Sequence, residues 1–292
     1  MNPLDPQTLA KIRSLELNAR QVVEGYLSGM HRSPHHGFAV EFAQHREYVP
    51  GDDIRHVDWK VYGRTERYYL KQYELETNLV GWLMVDASES MKYASGSISK
   101  YDYAVQAAAA LGYLILQQTD SVGLARFDTQ VRQFLRAAGT QTHFKDLLRI
   151  LVTGAGTETS QLGRVLHEVS DRFNRRGIVM IFSDLFDDVP QLLAGLKHLR
   201  YQRQEVILFH VLDPAELEFP FRQSTLFRGF EQYPELLTDP LGIRESYLAE
   251  FDQFVHEVKQ GCRLHHIDYV LLRTDHDIGH ALAQYLSLRA AR

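Results

Sequence analysis

Strand-like and helix-like segments alternate from Leu79 almost to the end of the chain, and this alternation constrains the fold more than any other feature. Short runs of branched and aromatic residues, such as 80–85 and 178–182, have the length and composition of buried strands. Longer stretches with helical spacing of apolar residues lie between them, the clearest at 100–118. This pattern predicts an α/β fold with a mainly parallel sheet and helices on both faces.

The predicted elements fill most of this region. Strands are expected at residues 80–85, 121–127, 131–135, 178–182, 206–212 and 269–272. Helices are expected at residues 100–118, 144–151, 161–175, 190–200, 245–260 and 278–288. Residues 214–242 break the rhythm and carry four phenylalanines, so we expect an inserted β excursion there.

The sequence before residue 79 differs in character. Residues 6–27 have apolar side chains at helical spacing and predict one helix. Residues 30–77 are rich in His, Arg, Tyr and acidic residues, with alternating stretches at 38–42 and 68–73 that indicate short strands. We therefore expect an N-terminal helix over 1–28, a small β-rich element over 29–78, and an α/β domain over 79–292 with an insertion near 214–242.

Composition narrows the classes of protein to consider. The chain has 292 residues, is 45% hydrophobic and has a formal net charge of −5, with scattered Lys and Arg, which argues against a nucleic-acid-binding face. Cys262 is the single cysteine, so neither an intrachain disulfide nor a thiolate zinc site is expected. The N-terminus lacks the apolar core of a signal peptide, and the apolar run at 104–116 is shorter than the about 20 residues that span a bilayer. A soluble, cytoplasmic protein is expected.

Three oxygen-bearing residues, Asp86, Ser88 and Ser90, directly follow the first strand of the predicted sheet. Open α/β sheets bind ligands at the carboxyl ends of their strands, so these residues stand where a site is expected. An all-oxygen set suits a hard cation, Mg²⁺ above all, with Mn²⁺ or Ca²⁺ as further candidates. The alternative is structural: the serines cap the following turn and Asp86 accepts hydrogen bonds from loop amides.

Two downstream segments offer further ligands. Glycines in the loop at 154–156 precede the hydroxyl of Thr157, and the predicted strand at 178–182 is followed by Ser183 and the carboxylate of Asp184. The order Asp-x-Ser-x-Ser, Gly-Thr and strand-Asp resembles the metal-ion-dependent adhesion site of von Willebrand factor A domains, which have a Rossmann-like fold. The resemblance implies a metal site formed by Asp86, Ser88, Ser90, Thr157 and Asp184.

Such a ligand set has little negative charge. Three neutral hydroxyls and two carboxylates leave a bound cation electrophilic, ready to accept a carboxylate from a partner. The resemblance therefore implies metal-dependent protein binding rather than catalysis, and no catalytic residue is predicted. Glu89 and Glu158 depart from the family's pattern. Either carboxylate could occupy the open coordination position of the cation, or it could remain solvated.

A longer signature precedes the sheet. Residues 41–59 read Glu-x4-Arg-x-Tyr-x-Pro-Gly-Asp-Asp-x-Arg-x-x-Asp-Trp. Followed by the strand and its Asp-x-Ser-x-Ser sequence, this segment resembles domain-of-unknown-function family 58, over nearly the whole chain from about Gly29. Genes of that family commonly lie beside genes for MoxR-type AAA+ ATPases. The resemblance implies a protein that acts with such an ATPase in chaperone-like assembly or remodelling of other proteins.

The charged residues of this signature have two interpretations. Glu41, Arg46, Arg55 and Asp58 could form an ion-pair network that pins the small β element to the sheet. They could instead form a docking face for the ATPase. Alanine replacement of Arg55 would separate loss of folding from loss of partner binding.

Other functions have weaker support. Two carboxylates around Mg²⁺ would also suit a phosphoesterase-type hydrolase, but no general base or second cluster of acids accompanies them in the sequence. A metal-free scaffold is a third possibility. His276 and His280 have the spacing of a metalloprotease helix, but Asp277 replaces the glutamate of that motif. No Gly-x4-Gly-Lys-Ser/Thr loop is present, so the chain is not expected to be an ATPase itself.

Overall fold

The computed structural model describes residues 6–29, 40–47, 57–65, 67–75, 79–173, 175–230 and 235–290. Two compact units are present. The larger unit comprises Met1–Gly29 and Leu79–Arg292, and the smaller unit comprises Met30–Asn78. The helix before the small unit therefore belongs to the same compact body as the sheet that follows it.

The described residues form ten strands and nine helices. The strands are β1 (Val40–Glu47), β2 (Tyr69–Leu75), β3 (Val80–Asp86), β4 (Ser121–Phe127), β5 (Val131–Ala138), β6 (Ile178–Ser183), β7 (Glu205–Leu212), β8 (Thr225–Phe227), β9 (Leu236–Thr238) and β10 (Asp268–Arg273). The helices are α1 (Pro6–Gly29), α2 (Trp59–Thr65), α3 (Lys100–Gln117), α4 (Gln141–Leu151), α5 (Leu162–Ser170), α6 (Val189–Tyr201), α7 (Pro214–Glu218), α8 (Pro240–Leu264) and α9 (Ile278–Ala290).

The smaller unit contains an antiparallel pair, β1 and β2, with the short helix α2 between them. Both strands were expected, and α2 was not. Asp58 precedes α2, and its carboxylate accepts a hydrogen bond from the amide of Val61 at 3.3 Å, which satisfies a free amide of the first turn. The rings of Tyr62 and Tyr68 stack with their centroids 4.5 Å apart. Arg55 lies outside the described residues, so both interpretations of the signature's charges stay open.

The larger unit is built on a six-stranded sheet in the order β10-β7-β6-β3-β4-β5. All neighbouring strands are parallel except β4 and β5, which form an antiparallel hairpin at one edge. The chain runs from β3 to β4 and β5 on one side, and then returns to β6, β7 and β10 on the other. The strand order therefore reverses between β3 and β6, and in open α/β sheets ligands bind at such a switch point.

Alternating side chains of the strands build two separate cores, one on each face of the sheet. On β3, Leu83 and Val85 join the core formed with α1, α3, α4 and α9. Trp82 and Met84 join the opposite core, formed with α5, α6 and α8. All seven residues of β3 are buried, as the period-two geometry of a doubly covered strand requires. The predicted parallel sheet with helices on both faces is confirmed.

The two largest departures from the predicted elements lie in the second half of the unit. The segment 214–242 was expected to be a β excursion, but among its described residues only the antiparallel pair of β8 and β9 fits that description. It opens with α7, and α8 begins at Pro240 rather than at residue 245. Both helices start with an aspartate cap followed by proline, at Asp213 and Asp239, a helix signal that outweighs the surrounding aromatic content.

A smaller correction concerns α5. It ends at Ser170, five residues before the predicted boundary at 175. The Ser170 hydroxyl donates to the carbonyl of His167 at 2.7 Å, so a serine side chain satisfies one of the terminal carbonyls. None of the described helices has the length and apolar character needed to cross a membrane.

Candidate functional site

Asp86 ends β3 at the switch point and is completely buried. One carboxylate oxygen, Oδ1, accepts a hydrogen bond from the amide of Ser88 at 2.9 Å. The other, Oδ2, accepts from the hydroxyls of Ser160 at 2.9 Å and Ser183 at 2.6 Å. Three donors from three segments therefore hold the carboxylate in one orientation.

Hydrogen bonding only partly offsets the cost of burying this carboxylate. Burial, together with the negative charge of Asp184, raises the pKa of Asp86 to about 7. The hydrogen bonds from Ser183 and Ser88 lower that pKa, but by less. A positive charge placed beside this buried carboxylate would stabilise its ionised form.

Ser88 and Ser90 place two hydroxyls side by side next to this carboxylate. Both serines are buried, and their Oγ atoms lie 3.1 Å apart. A short 3-10 turn, Ser90–Lys92, fixes the backbone of the second serine. Two oxygens bound at right angles to one Mg²⁺, each at about 2.1 Å, would lie about 3.0 Å apart. The two hydroxyls share a hydrogen bond at a distance that also matches adjacent ligands in an octahedral magnesium site.

The loop that follows α4 runs alongside these residues. The amide of Gly156 donates to the carbonyl of Ala87 at 2.6 Å, and the amide of Glu89 donates to the carbonyl of Glu158 at 2.8 Å. Thr157 therefore lies between two backbone contacts with the Asp-x-Ser-x-Ser loop. Its side chain is exposed. Ser160, which the sequence did not single out, is the buried hydroxyl of this segment.

Asp184, the second predicted carboxylate, is completely buried and bound to a lysine. Its Oδ2 accepts a hydrogen bond from Lys100 Nζ at 2.8 Å, and the same Nζ lies 2.5 Å from Glu216 Oε1. Lys100 is itself completely buried at the start of α3. Burial alone would lower the pKa of Lys100, but the charges of Asp184 and Glu216 outweigh it and raise the pKa, so the ammonium keeps its charge.

The backbone at Asp184 is held by a neutral histidine. His210 Nε2 lies 2.9 Å from the Asp184 carbonyl oxygen, and its Nδ1 lies 2.7 Å from the Tyr269 hydroxyl. Burial lowers the pKa of His210 to about 3, so the ring is neutral. Nε2 then donates to the carbonyl while Nδ1 accepts from the tyrosine. The next residue, Leu185, has a φ of +60°, a strained conformation for a branched side chain.

The oxygen donors fit a hard divalent cation. Ser88 and Ser90 would be direct ligands, with Asp86 beside them, while Lys100 occupies Oδ2 of Asp184 and leaves Oδ1 or a water bridge for that carboxylate. Lys100 is shared between the carboxylates of Asp184 and Glu216, and the charge of Asp184 also acts on Asp86, so the site favours a further positive charge. Among the described residues, no three His, Cys, Asp or Glu side chains are placed to hold a metal together, so a cation here would depend on hydroxyl oxygens.

The sequence missed several residues of this site. Lys100 and Glu216 stand 84 and 32 positions from Asp184 and belong to helices, so their meeting depends on the tertiary fold. A usable signal was present at the strand ends, because β4, β6 and β7 are each followed immediately by an aspartate: Asp128, Asp184 and Asp213. Asp213 accepts from Ser95 Oγ at 2.5 Å and from Thr274 Oγ at 3.2 Å, which ties three loops together at the rim.

The sheet order, the helices on both faces and the Asp-x-Ser-x-Ser sequence at the switch point define a von Willebrand factor A-like α/β protein. The crystal structure of the conserved hypothetical protein BatB from Bacteroides thetaiotaomicron has the same fold, with a TM-score of 0.50 and 14% sequence identity over 73% of this chain and 100% of that chain. Residues 44–252 match the family described as "Protein of unknown function DUF58", and the chain belongs to that family.

Relatives that align with most of this chain occur in mycobacteria. The "Uncharacterized protein Rv1480" of Mycobacterium tuberculosis and the "Uncharacterized protein Mb1516" of Mycobacterium bovis are each 29% identical over 285 residues. In both cases the alignment covers 94% of this chain and 87% of the relative. The similarity therefore extends beyond the α/β sheet to the segments before it.

Proposed function

We propose that this protein is an interaction module that holds a divalent cation at the carboxyl ends of β3 and β6 and binds the carboxylate of a partner protein through it. Mg²⁺ suits the oxygen donors best, with Mn²⁺ or Ca²⁺ as alternatives. The observation that carries the proposal is the buried pair of hydroxyls on Ser88 and Ser90, 3.1 Å apart beside the carboxylate of Asp86.

The buried ion pair of Lys100 and Asp184 supports this proposal. Lys100 neutralises part of the charge on Asp184, so the donors that remain for a cation are mainly neutral oxygens. A cation held by neutral oxygens retains more of its positive charge, and it would supply an open coordination position for an incoming carboxylate. The ion pair of Lys100 and Asp184 thus favours ligand capture over tight enclosure of the metal.

The partner and setting follow from the family resemblance. A MoxR-type AAA+ ATPase is the proposed partner, and chaperone-like assembly or remodelling of a client protein in the cytoplasm is the proposed process. The client would present the carboxylate. Co-purification of the full chain with the ATPase, with and without Mg²⁺, addresses this part separately from metal binding.

Thermal unfolding tests the cation site directly. The full chain, first treated with EDTA, is titrated with Mg²⁺ and Mn²⁺, beside a Ser88→Ala/Ser90→Ala double variant and a Ser97→Ala control, which removes an exposed hydroxyl from the same loop. A ligand that binds only the folded state adds about 2.7 kcal/mol at one hundred times its dissociation constant. We expect a saturable rise in Tm for the wild type and the Ser97→Ala control.

The double variant should show no such rise. Equal metal-dependent shifts in the wild type and the double variant would contradict ligation by the two hydroxyls. No shift in any of the three proteins would contradict a metal site that forms without the partner.

A further inference from the structure

An aromatic cavity opens directly beside the proposed cation site. It has a volume of about 320 Å³ and lies between the 3-10 turn after β3, the loop after β6, the segment from α7 to β8, and α8. Seven aromatic rings form much of its wall: Tyr93, Phe186, Phe219, Phe221, Phe227, Phe230 and Tyr247. The segment expected to be a β excursion thus supplies one side of a cavity.

The rings are held in place by their own packing. Phe219 is a buried residue of the wall, and its ring stacks on Phe227 with centroids 5.7 Å apart and meets Phe221 edge-on at 5.2 Å. Elsewhere in the wall, Tyr93 meets Phe230 edge-on at 6.1 Å. Such edge-to-face and offset pairs are the arrangements that aromatic rings prefer, and a further ring entering the cavity would find the same kinds of partner.

The charged groups that line the cavity are already paired, so the cavity does not require a charged ligand. Lys100 and Glu216 line the cavity, but they are bound to each other, and the ammonium of Lys100 is also bound to Asp184. Its Nζ stands 4.8 Å from the ring centroid of Phe186 and 5.8 Å from that of Tyr93, so the rings further cover the charge. An occupant that matches this surface is apolar and neutral rather than a free acid.

Continuity with the cation site decides which apolar occupant fits. Ser90, one of the two paired hydroxyls, also lines the cavity. A partner segment whose carboxylate reaches the hydroxyl pair therefore brings an adjoining side chain to the mouth of the cavity. Buried aromatic anchors in preformed pockets supply much of the binding energy in protein interfaces.

We propose that the aromatic cavity receives an aromatic side chain of the partner, from a residue next to the one that supplies the carboxylate. The inference rests on the proposed function and adds to it a sequence preference: an acidic residue beside Phe, Tyr or Trp. The cation held by the hydroxyl pair would bind the carboxylate of the partner, and the cavity would bind its aromatic ring.

Four capped probes test the two selections in the presence of Mg²⁺: acetyl-Phe-amide, acetyl-Asp-Ala-amide, acetyl-Asp-Phe-amide and acetyl-Phe-Asp-amide. Binding to the full chain is followed through the ¹³C-labelled methyl groups of alanine, because Ala215 lines the cavity and reports occupancy there. The buried methyl group of Ala104 in α3 serves as an internal reference. We expect acetyl-Phe-amide to shift the Ala215 signal. Of the two dipeptides that contain both Asp and Phe, the better should bind at least about tenfold more tightly than either single-feature probe.

Matched variants separate the two features. Phe227→Ala removes a cavity wall, and Leu226→Ala removes an exposed neighbour on the same strand that does not line the cavity. Phe227→Ala should abolish the advantage of the Phe-containing probes while leaving acetyl-Asp-Ala-amide unaffected, and Leu226→Ala should change neither. The Ser88→Ala/Ser90→Ala variant should reduce the two dipeptides that contain both Asp and Phe to the level of acetyl-Phe-amide, and it should abolish binding of acetyl-Asp-Ala-amide. The spectrum of the remaining alanine methyl groups shows whether each variant is folded.

Each outcome decides between the two proposals. If no Phe-containing probe moves the Ala215 signal, or if neither Asp-Phe nor Phe-Asp binds more tightly than Asp-Ala, the aromatic selection is wrong. If octanol, a saturated chain, binds the cavity more tightly than acetyl-Phe-amide, assignment to a peptide ring is wrong. If acetyl-Phe-amide binds through Phe227 while the aspartate gives no gain with Mg²⁺, the cation-dependent function fails and aromatic recognition stands.

Discussion

At the scale of single residues, the most consequential side chain is a buried lysine. Lys100 lies at the first position of α3 with no exposed surface, in contact with two carboxylates, one directly after β6 and one in α7. Removing one partner of a buried ion pair lowers stability by more than the pair itself contributes, because the remaining charge is left without a partner in a poorly solvated environment. The lysine is therefore a structural requirement of the same site that we propose to bind a cation.

Replacing this lysine gives the first prediction. Lys100→Met keeps the apolar stem but removes the charge, so Asp184 and Glu216 face each other without a counter-charge. We expect the free energy of unfolding to fall by about 3–5 kcal/mol, measured by urea denaturation in EDTA so that no metal compensates. Lys92→Met, which removes an exposed lysine 3.7 Å from Glu89, should cost less than about 1 kcal/mol. A loss below that level for Lys100→Met would show that the two carboxylates do not depend on it.

At the scale of elements, two neighbouring helices touch through glycine. A Cβ on Gly195 of α6 would lie 2.8 Å from the carbonyl oxygen of Gly163 in α5, and a Cβ on Gly163 would lie 2.7 Å from the backbone of Gln191. These contacts are with backbone atoms, which cannot move aside as a flexible side chain can. The two glycines therefore set how closely α5 and α6 approach, and α5 follows the segment whose Ser160 holds Asp86.

This close approach gives a second prediction. Gly195→Ala should lower the free energy of unfolding by about 1–3 kcal/mol, because overpacking outweighs the gain in helix propensity. Gly242→Ala is the matched control: this glycine lies in α8, and a Cβ added there would have no other atom within 4 Å, so the change should be neutral or stabilising by about 0.5–1 kcal/mol. Urea denaturation of both variants provides the comparison. Equal stabilisation by the two alanines would show that the helices separate without cost.

At the scale of the whole molecule, the sequence predicted what depends on local pattern and missed what depends on distant contacts. Strand β3 was predictable because one apolar run is bounded by polar residues, and Asp86 because it ends that run. The meeting of Lys100 with Asp184 has no local signature, since the two are 84 positions apart and both are charged residues expected at the surface. The aromatic cavity was likewise hidden, although its phenylalanines were noticed, because their spacing fits no single regular element.

The N-terminal helix α1 belongs to the larger unit although it is separated in sequence from the rest of that unit. Ile12, Leu15, Ala19 and Val23 recur at helical spacing on α1 and join the core that includes α3 and α9. The small unit, Met30–Asn78, intervenes in sequence between this helix and β3. Because α1 covers part of the core of the sheet, its packing should contribute to the stability of the whole larger unit rather than to that of a separate appendage.

Leu15→Ala tests this dependence. Leu15 is 6% exposed, and a buried Leu→Ala change costs about 2–5 kcal/mol. Trp82, on the opposite face of β3 from that core, reports the larger unit when the other tryptophan is removed by Trp59→Phe. In that background we expect Leu15→Ala to shift the urea midpoint seen by Trp82 fluorescence downward, in one transition. Leu17→Ala, on the same helix but 59% exposed, should change stability by no more than about 0.5 kcal/mol. An unchanged Trp82 midpoint in Leu15→Ala would mean that α1 unfolds independently of the sheet.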